Sequence, residues 1–267
     1  MDEKGSAAMN PERGTPVVEL RKISKQFGAV QALVDVDFSA YAGEIVALVG
    51  DNGAGKSTLI RIIVGIWQPT SGEIFYSGEK HNRIDPRIAS RLGIQAVHQD
   101  FGLVNTMTIE RNVFLGSEPY KAGLLRVLDR KRMIEASKEV LDIIGMRSQI
   151  TPSSQVATLS GGEIQAIKIG RAVYYKAKLI ILDEPTNALS VRERHRVVEL
   201  TQEIRDRGVG VIFISHDIHQ VYGIADRILV MERGRTIGDY VKTEIDVDSL
   251  VTLIREGRTG KLNNGSS

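Results

Sequence analysis

A chain of 267 residues, 42% hydrophobic and 25% charged, holds enough apolar material for one large domain or one core with an inserted lobe. Its formal net charge of +2 gives no field strong enough to argue for nucleic acid or an anionic membrane surface, so no nucleic-acid partner is expected. No apolar run reaches the length that spans a bilayer, and Met1 to Pro16 does not read as a signal peptide, so any membrane role is expected to go through a partner. The absence of cysteine excludes disulfides, Cys-ligated zinc and iron–sulfur clusters.

In chain order, residues 1–15 read as a flexible tail. Val17-Val18-Glu19-Leu20 and Val36-Asp37-Phe38-Ser39-Ala40 alternate as antiparallel strands do. Glu44 to Val49 is a nearly continuous apolar run ending at Gly50, the pattern of a strand buried on both faces. Beyond Lys56, Leu59, Ile60, Ile62, Ile63 and Ile66 recur at helical spacing, and Gly65 with Pro69 marks the stop. Gly72 to Gly78 predicts a short strand bounded by turns. From about Asp100 to Ala157 helical patterning dominates, as in Met133 to Ile144 with Gly145 as C-cap. Strand patterns return at Leu179–Leu182, Val211–Ile214 and Arg227–Met231, the last turning through Arg233-Gly234 into Thr236-Ile237. This order predicts an α/β core (16–99 and 158–240), an inserted helical lobe (100–157), an antiparallel layer at the edge, and a second tail at 258–267.

Between the first buried strand and its helix lies Gly50-Asp51-Asn52-Gly53-Ala54-Gly55-Lys56-Ser57-Thr58. The strand, the glycine-rich loop and the helix together give the motif its meaning. Backbone N–H groups wrap a β-phosphate only where side chains are small, here Gly53, Ala54 and Gly55, and the helix adds its positive dipole end. Lys56 brings a mobile point charge to the β- and γ-phosphates, and the Ser57 hydroxyl is suited to Mg²⁺. A plain glycine turn would need none of this chemistry.

Leu179-Ile180-Ile181-Leu182-Asp183-Glu184-Pro185 places two acids at the C-terminal end of a buried strand, where ligands gather in open α/β sheets. Asp183 is suited to hold Mg²⁺ and Glu184 to orient or deprotonate an attacking water. Read alone, both acids are equally well strand-end or capping residues. Leu159-Ser160-Gly161-Gly162-Glu163 opens a further helix with Ser160 as N-cap and two glycines that allow close backbone approach. Alone, that segment is no more than a capped helix.

Together these segments closely resemble the ATP-binding cassette family, from about Val17 to Gly257. The resemblance implies a P-loop NTPase, RecA-like core with a mostly parallel sheet, and a head-to-tail dimer. In that dimer each ATP lies between one chain's phosphate loop and the other chain's Ser160-Gly161-Gly162-Glu163 signature. Carried over position by position, Phe27 matches the aromatic that stacks on adenine, and Gln99 the glutamine that contacts Mg²⁺ and the attacking water. Ser160, Gly161 and Gly162 match the contacts to the opposing γ-phosphate. Asp183 and Glu184 match the metal-binding and catalytic acids, and His216 the γ-phosphate-sensing histidine. His81, His98, His195 and His219 are expected to be solvated or structural.

Two departures stand out: Glu163 where the signature commonly has Gln, and Ser190 where many cassettes have Asp. Asp183-Glu184-Pro185-Thr186-Asn187-Ala188-Leu189-Ser190, Thr108 to Gly116 and Asp129-Arg130-Lys131 resemble the monosaccharide-import branch (ribose-, xylose- or fructose-like). The resemblance implies an ATP-hydrolysing subunit of a sugar or polyol importer, peripheral on the cytoplasmic side of the cell membrane. It further implies a second ATPase subunit, transmembrane permease subunits, and indirectly a periplasmic or extracellular binding protein. Phe101, Leu103, Val104, Met107 and Ile109 match the stretch that receives a cytoplasmic helix of the permease. The alternative reading is a non-transport single cassette, such as a cluster-assembly ATPase.

Overall fold

Strands whose every residue is apolar must be covered on both faces, and two such strands, Ile45–Val49 and Gly210–Ile214, pair side by side in the larger sheet of this protein. The structure, a computed structural model, describes residues 14–97, 102–122 and 127–257. Gln99 and Phe101, both singled out from the sequence, lie outside the described residues, as do His98 and the segment 258–267. The chain divides into two units: one comprises 1–96, 178–184 and 205–267, the other 97–177 and 185–204.

The first unit carries two sheets. In one, β1 (Val18–Phe27), β2 (Val30–Ala40), β4 (Ser71–Tyr76) and β5 (Glu79–His81) are ordered β2-β1-β4-β5 and pair antiparallel. The other is six-stranded. It contains β3 (Ile45–Val49), β6 (Ile94–Val97), β7 (Leu179–Asp183), β8 (Gly210–Ile214), β9 (Arg227–Glu232) and β10 (Arg235–Val241), in the order β10-β9-β3-β8-β7-β6. β3 pairs in parallel with β8 and β9, and β7 with β8, while β10 returns antiparallel to β9.

All five residues of β3 and of β8 are buried, which is the demand of a parallel sheet covered on both sides. Val46 and Leu48 of β3 join Ile212, Ile214, Leu229 and Met231 in one apolar cluster. That cluster also holds Leu20, Val36 and Ile74 of the antiparallel sheet, Leu59, Ile60, Ile62 and Ile63 of α1 (Lys56–Ile63), and Ala89 of α2 (Pro86–Arg91). The β9–β10 turn at Arg233 and Gly234, both at positive φ, has the backbone of a tight hairpin. Arg227, buried in β9, clamps the sheet edge. Its guanidinium donates to Glu44 at 2.9 Å and to both Asp239 oxygens at 2.8 and 2.9 Å.

The second unit is helical, with α3 (Ile109–Val113), α4 (Arg130–Ile143), α5 (Gly161–Tyr174) and most of α6 (Val191–Asp206). α4 and α5 approach closely because Gly170 has no side chain; a Cβ there would stand 2.6 Å from Ile144 and 3.2 Å from Val140. Arg196 of α6 donates to the Ile144 carbonyl at 2.9 Å, closing the end of α4. The region between Gly102 and Ala157 is less helical than its apolar pattern predicts. Among described residues its α-helices are α3 and α4, since Gly116, Pro119, Gly145 and Pro152 interrupt the rest. Buried Asn112 organises the turn before α3: its amide oxygen accepts from Val104 N–H at 2.6 Å, and its amide donates to the carbonyls of Val104 and Thr108.

Candidate active site

The phosphate loop follows β3 as a chain of glycine requirements. Gly50, Gly53 and Gly55 all have positive φ, at 143°, 83° and 105°. A Cβ on Gly50 would lie 2.1 Å from the Met231 carbonyl, and one on Gly55 would lie 2.8 Å from Leu33 Cδ2. Gly53 faces open space, so its need for glycine is its backbone angle alone. The loop is held from outside by a residue that the sequence marked only as part of a turn. Gly234, in the β9–β10 turn, donates to the Ala54 carbonyl at 2.9 Å and accepts from Val34 N–H at 2.8 Å. Arg233-Gly234 was legible as a turn, but nothing in its spacing tied it to Ala54.

α1 begins at Lys56 with Gly55 as N-cap and no side chain capping it. Its first-turn amides therefore have no internal side-chain acceptor at the cap. Lys56 Nζ donates to the carbonyls of Gly50 at 2.6 Å and Asp51 at 3.0 Å. Burial lowers the Lys56 ammonium from its ordinary value; Glu184, Asp51 and Asp183 act in the opposite direction, which places those acids within electrostatic reach of the loop. Asn52 and Ser57 are exposed, and Thr58 is half-buried.

β7 delivers Asp183 and Glu184, both half-buried, at its C-terminal end. Glu184 adopts φ 49°, in the left-handed region, while its N–H donates to the Ile214 carbonyl at 3.0 Å. A non-glycine residue in that region stores backbone strain of about 1–3 kcal/mol, held here by the neighbouring strand. The turn brings Glu184 Oε2 to 2.9 Å from His216 Nδ1. His216 follows β8 and is itself well exposed, so its other ring nitrogen is available for a ligand. His195 and His219 lie exposed on α6 and on α7 (Ile218–Ile224), and His81 packs edge-on against Tyr76; none of them joins this group.

Phe27, at the end of β1, keeps 39% of its surface exposed. Trp67 packs edge-to-face against it with ring centroids 4.6 Å apart, and Lys25 Nζ lies 4.9 Å from the ring centre. A half-exposed, rigidly backed aromatic is able to stack a planar base.

Oxygen donors for Mg²⁺ are present in the Ser57 hydroxyl and the Asp183 carboxylate. A hard cation bound largely through substrate phosphates needs about one or two protein carboxylates, and this set meets that demand. Among the described residues no group of three or more His, Cys, Asp or Glu side chains forms a metal cage.

In the second unit, Ser160 caps α5. Its Oγ accepts from Glu163 N–H at 3.3 Å, and Glu163 Oε2 accepts from Ser160 N–H at 2.7 Å. Glu163, a departure from the common signature, thus completes a reciprocal capping box. Ser160 and Gly161 are exposed, and Gly162 is buried.

The family model described as ABC transporter matches residues 33–187, a span that holds the phosphate loop, the signature and both acids. This chain belongs to the ABC transporter family. Its relatives include the xylose/arabinose import ATP-binding protein of Sulfolobus acidocaldarius, 42% identical over 249 residues, covering 93% of this chain and 98% of that protein. A ribose import ATP-binding protein of Escherichia coli O157:H7 is 39% identical over 240 residues; there the match covers 90% of this chain and 46% of the relative. The chain therefore spans about half the length of that ribose-import relative.

Among solved structures, a nucleotide-free ATP-binding cassette from an ABC transporter superposes with TM-score 0.75 over 94% of this chain at 21% identity. A dimeric post-hydrolysis cassette bound to ADP and phosphate does so with TM-score 0.69 over 84% at 26% identity. The α/β P-loop architecture of the ABC ATPases is thus the fold of this chain, and it is an ATP-binding ATPase. In this ABC ATPase, no helix among the described residues is long and apolar enough to cross a membrane. Arg171 is a further residue that the sequence did not single out: from α5 it donates to the carbonyls of Gly102 and Leu115, fixing the segment around α3.

Proposed function

We propose that this chain is the ATPase subunit of a sugar importer, taking a monosaccharide or related polyol, and that it works as a head-to-tail dimer with composite ATP sites. The observation that carries the hydrolytic part is the Glu184–His216 hydrogen bond at 2.9 Å, at the C-terminal ends of β7 and of β8, the strand that pairs with β3.

Adenine stacks on Phe27, the amides of Gly53 to Thr58 wrap the phosphates, and Lys56 neutralises charge on the β- and γ-phosphates. Ser57, Asp183 and Gln99 are the residues that would hold Mg²⁺, which when bound neutralises phosphate charge. Glu184 accepts a proton from the attacking water as its oxygen bonds the γ-phosphorus and the bond to ADP breaks. His216 holds the Glu184 carboxylate through Nδ1 and presents its other nitrogen to the γ-phosphate. Ser160, Gly161, Gly162 and Glu163 serve the nucleotide of the partner chain, so ATP closes the dimer and phosphate release opens it.

Support for sugar import comes from the names of the relatives, which are xylose/arabinose and ribose import proteins. The segment Leu103 to Ile109, pinned by Asn112, is the proposed seat of a permease helix. The chain then sits peripherally on the cytoplasmic face of the membrane, and the sugar reaches the permease through an extracytoplasmic binding protein.

Glu184→Gln is expected to keep ATP binding and lose hydrolysis by about 100-fold or more. Parental turnover in that variant would remove Glu184 from the mechanism. Purification of the chain from its native membranes is expected to bring a permease, and the binding protein encoded with that permease is expected to take a pentose or hexose in a ligand screen. Co-purification with cluster-assembly factors instead would overturn the import reading.

A further inference from the structure

The sequence explains Gly161 and Gly162 by the need for a close approach to phosphate. The structure supplies a second demand on both glycines from within the same chain. A Cβ on Gly161 would lie 2.8 Å from Leu189 Cδ2, and one on Gly162 would lie 2.8 Å from Glu193 Cγ and 2.9 Å from Glu193 Cβ. The start of α6 therefore lies directly against the signature turn. The contact is polar as well as steric. Glu193 Oε1 accepts the Gly162 N–H at 3.0 Å, and its Oε2 accepts the Ser190 N–H at 3.0 Å and the Ser190 hydroxyl at 2.7 Å.

Glu193 thus uses both oxygens, one for each helix start. The first amide belongs to the signature; the second begins the helix that follows the catalytic acid in sequence. Glu163 is already committed to the Ser160 N–H, so the two carboxylates divide the amides of the turn between them. We propose that Glu193 is a positioning residue for the signature: by bridging Gly162 to Ser190 it holds the Ser160-Gly161-Gly162 turn in the shape offered to a partner chain's nucleotide. It acts through Gly162 and touches no nucleotide itself. The same hydrogen bonds, led by that from the Ser190 hydroxyl, hold the Glu193 carboxylate down at about 2, so it stays ionised throughout the neutral range. The role of Ser190, the departure from the common Asp, follows: a hydroxyl can donate to Glu193, and a carboxylate would repel it.

This inference rests on the composite-site reading, and the test separates the two. Two equimolar mixtures of full-length chains carry identical substitutions in different arrangements. One mixes chains carrying Ser160→Arg and Glu193→Ala with Lys56→Ala chains. The other mixes Ser160→Arg chains with chains carrying Lys56→Ala and Glu193→Ala. Every homodimer lacks either the loop lysine or a usable signature, so only the mixed dimer turns over. In the first mixture its intact phosphate loop meets an intact signature. In the second that loop meets a signature that lacks its Glu193 tie.

The first mixture is expected to hydrolyse ATP at the rate of Ser160→Arg chains mixed with Lys56→Ala chains. The second is expected to fall about tenfold below it, the equivalent of one charge-assisted hydrogen bond. ATP binding by the Glu193→Ala chain alone should stay near wild type, and Glu193→Gln, which can still accept the Gly162 N–H, should recover part of the rate. Equal losses in both mixtures would make Glu193 a structural residue and overturn the proposal; so would no loss in either. No turnover in either mixture or in the Ser160→Arg with Lys56→Ala reference would mean that each chain uses its own signature, overturning the composite reading and the positioning role built on it. A rate above wild type for Glu193→Gln would mean that the carboxylate competes with nucleotide for Gly162, which also overturns the proposal.

Discussion

The two helix starts that we propose meet a nucleotide are finished in opposite ways. α1 begins behind a glycine N-cap with no side chain on its amides, and Lys56 rests on carbonyls of its own loop. α5 begins behind Ser160 with its amides divided among Ser160, Glu163 and Glu193. The first is an open cradle whose shape comes from backbone angles at Gly50, Gly53 and Gly55. The second is a surface whose shape comes from side chains of two helices. A site that encloses a phosphate must leave its amides open, whereas one that meets a nucleotide held elsewhere gains more from rigidity.

That contrast breaks first at Lys56. Lys56→Ala is expected to abolish measurable ATP hydrolysis, a loss of about 100-fold or more, together with weakened nucleotide binding in a fluorescent-ATP titration. A chain that binds and turns over ATP normally without Lys56 would not be using the open cradle.

Gly162→Ala probes the other helix start. Its new Cβ collides with Glu193 and displaces the tie, so hydrolysis should drop about tenfold while ATP binding to the isolated chain is unchanged. Weakened binding in that variant would erase the proposed division of labour between the two starts.

The smallest expected effect is on acid stability. The folded Glu193 carboxyl is held at about 2 against an ordinary value of 4.5. Its contribution is therefore present above about pH 4.5 and fades as the pH falls toward 2. Wild type should melt above Glu193→Gln at neutral pH, with the gap narrowing through that window in a series of thermal melts. A gap constant from pH 7 to pH 2 would show that the carboxylate is not what holds the two helix starts together.

The open cradle was almost wholly legible in the sequence, because its chemistry depends on glycines at fixed spacing between a strand and a helix. The acids were legible for the same reason: β7 is apolar up to Asp183. The left-handed backbone of Glu184 was not, since it depends on the Ile214 carbonyl of a neighbouring strand. Ser160 was readable as an N-cap. Ser190-x-x-Glu193 also stands in the sequence as a capping pattern, but capping describes only one of the Glu193 oxygens. The partner of the other is set by packing between helices distant in sequence, as is the support that Gly234 gives Ala54. Helical patterning over 100–157 overstated the helices, because apolar residues at helical spacing also serve turns pinned by Asn112 and Arg171.

We propose that the open cradle of one chain and the braced turn of another make one site. The most direct test mixes Ser160→Arg chains, whose phosphate loop is intact, with Lys56→Ala chains, whose signature is intact, and measures ATP hydrolysis against each chain alone. Neither homodimer should turn over ATP, and the mixture should regain a substantial part of the wild-type rate through its single complete site. A mixture as inactive as its components, or a Ser160→Arg chain that hydrolyses ATP by itself, would contradict it.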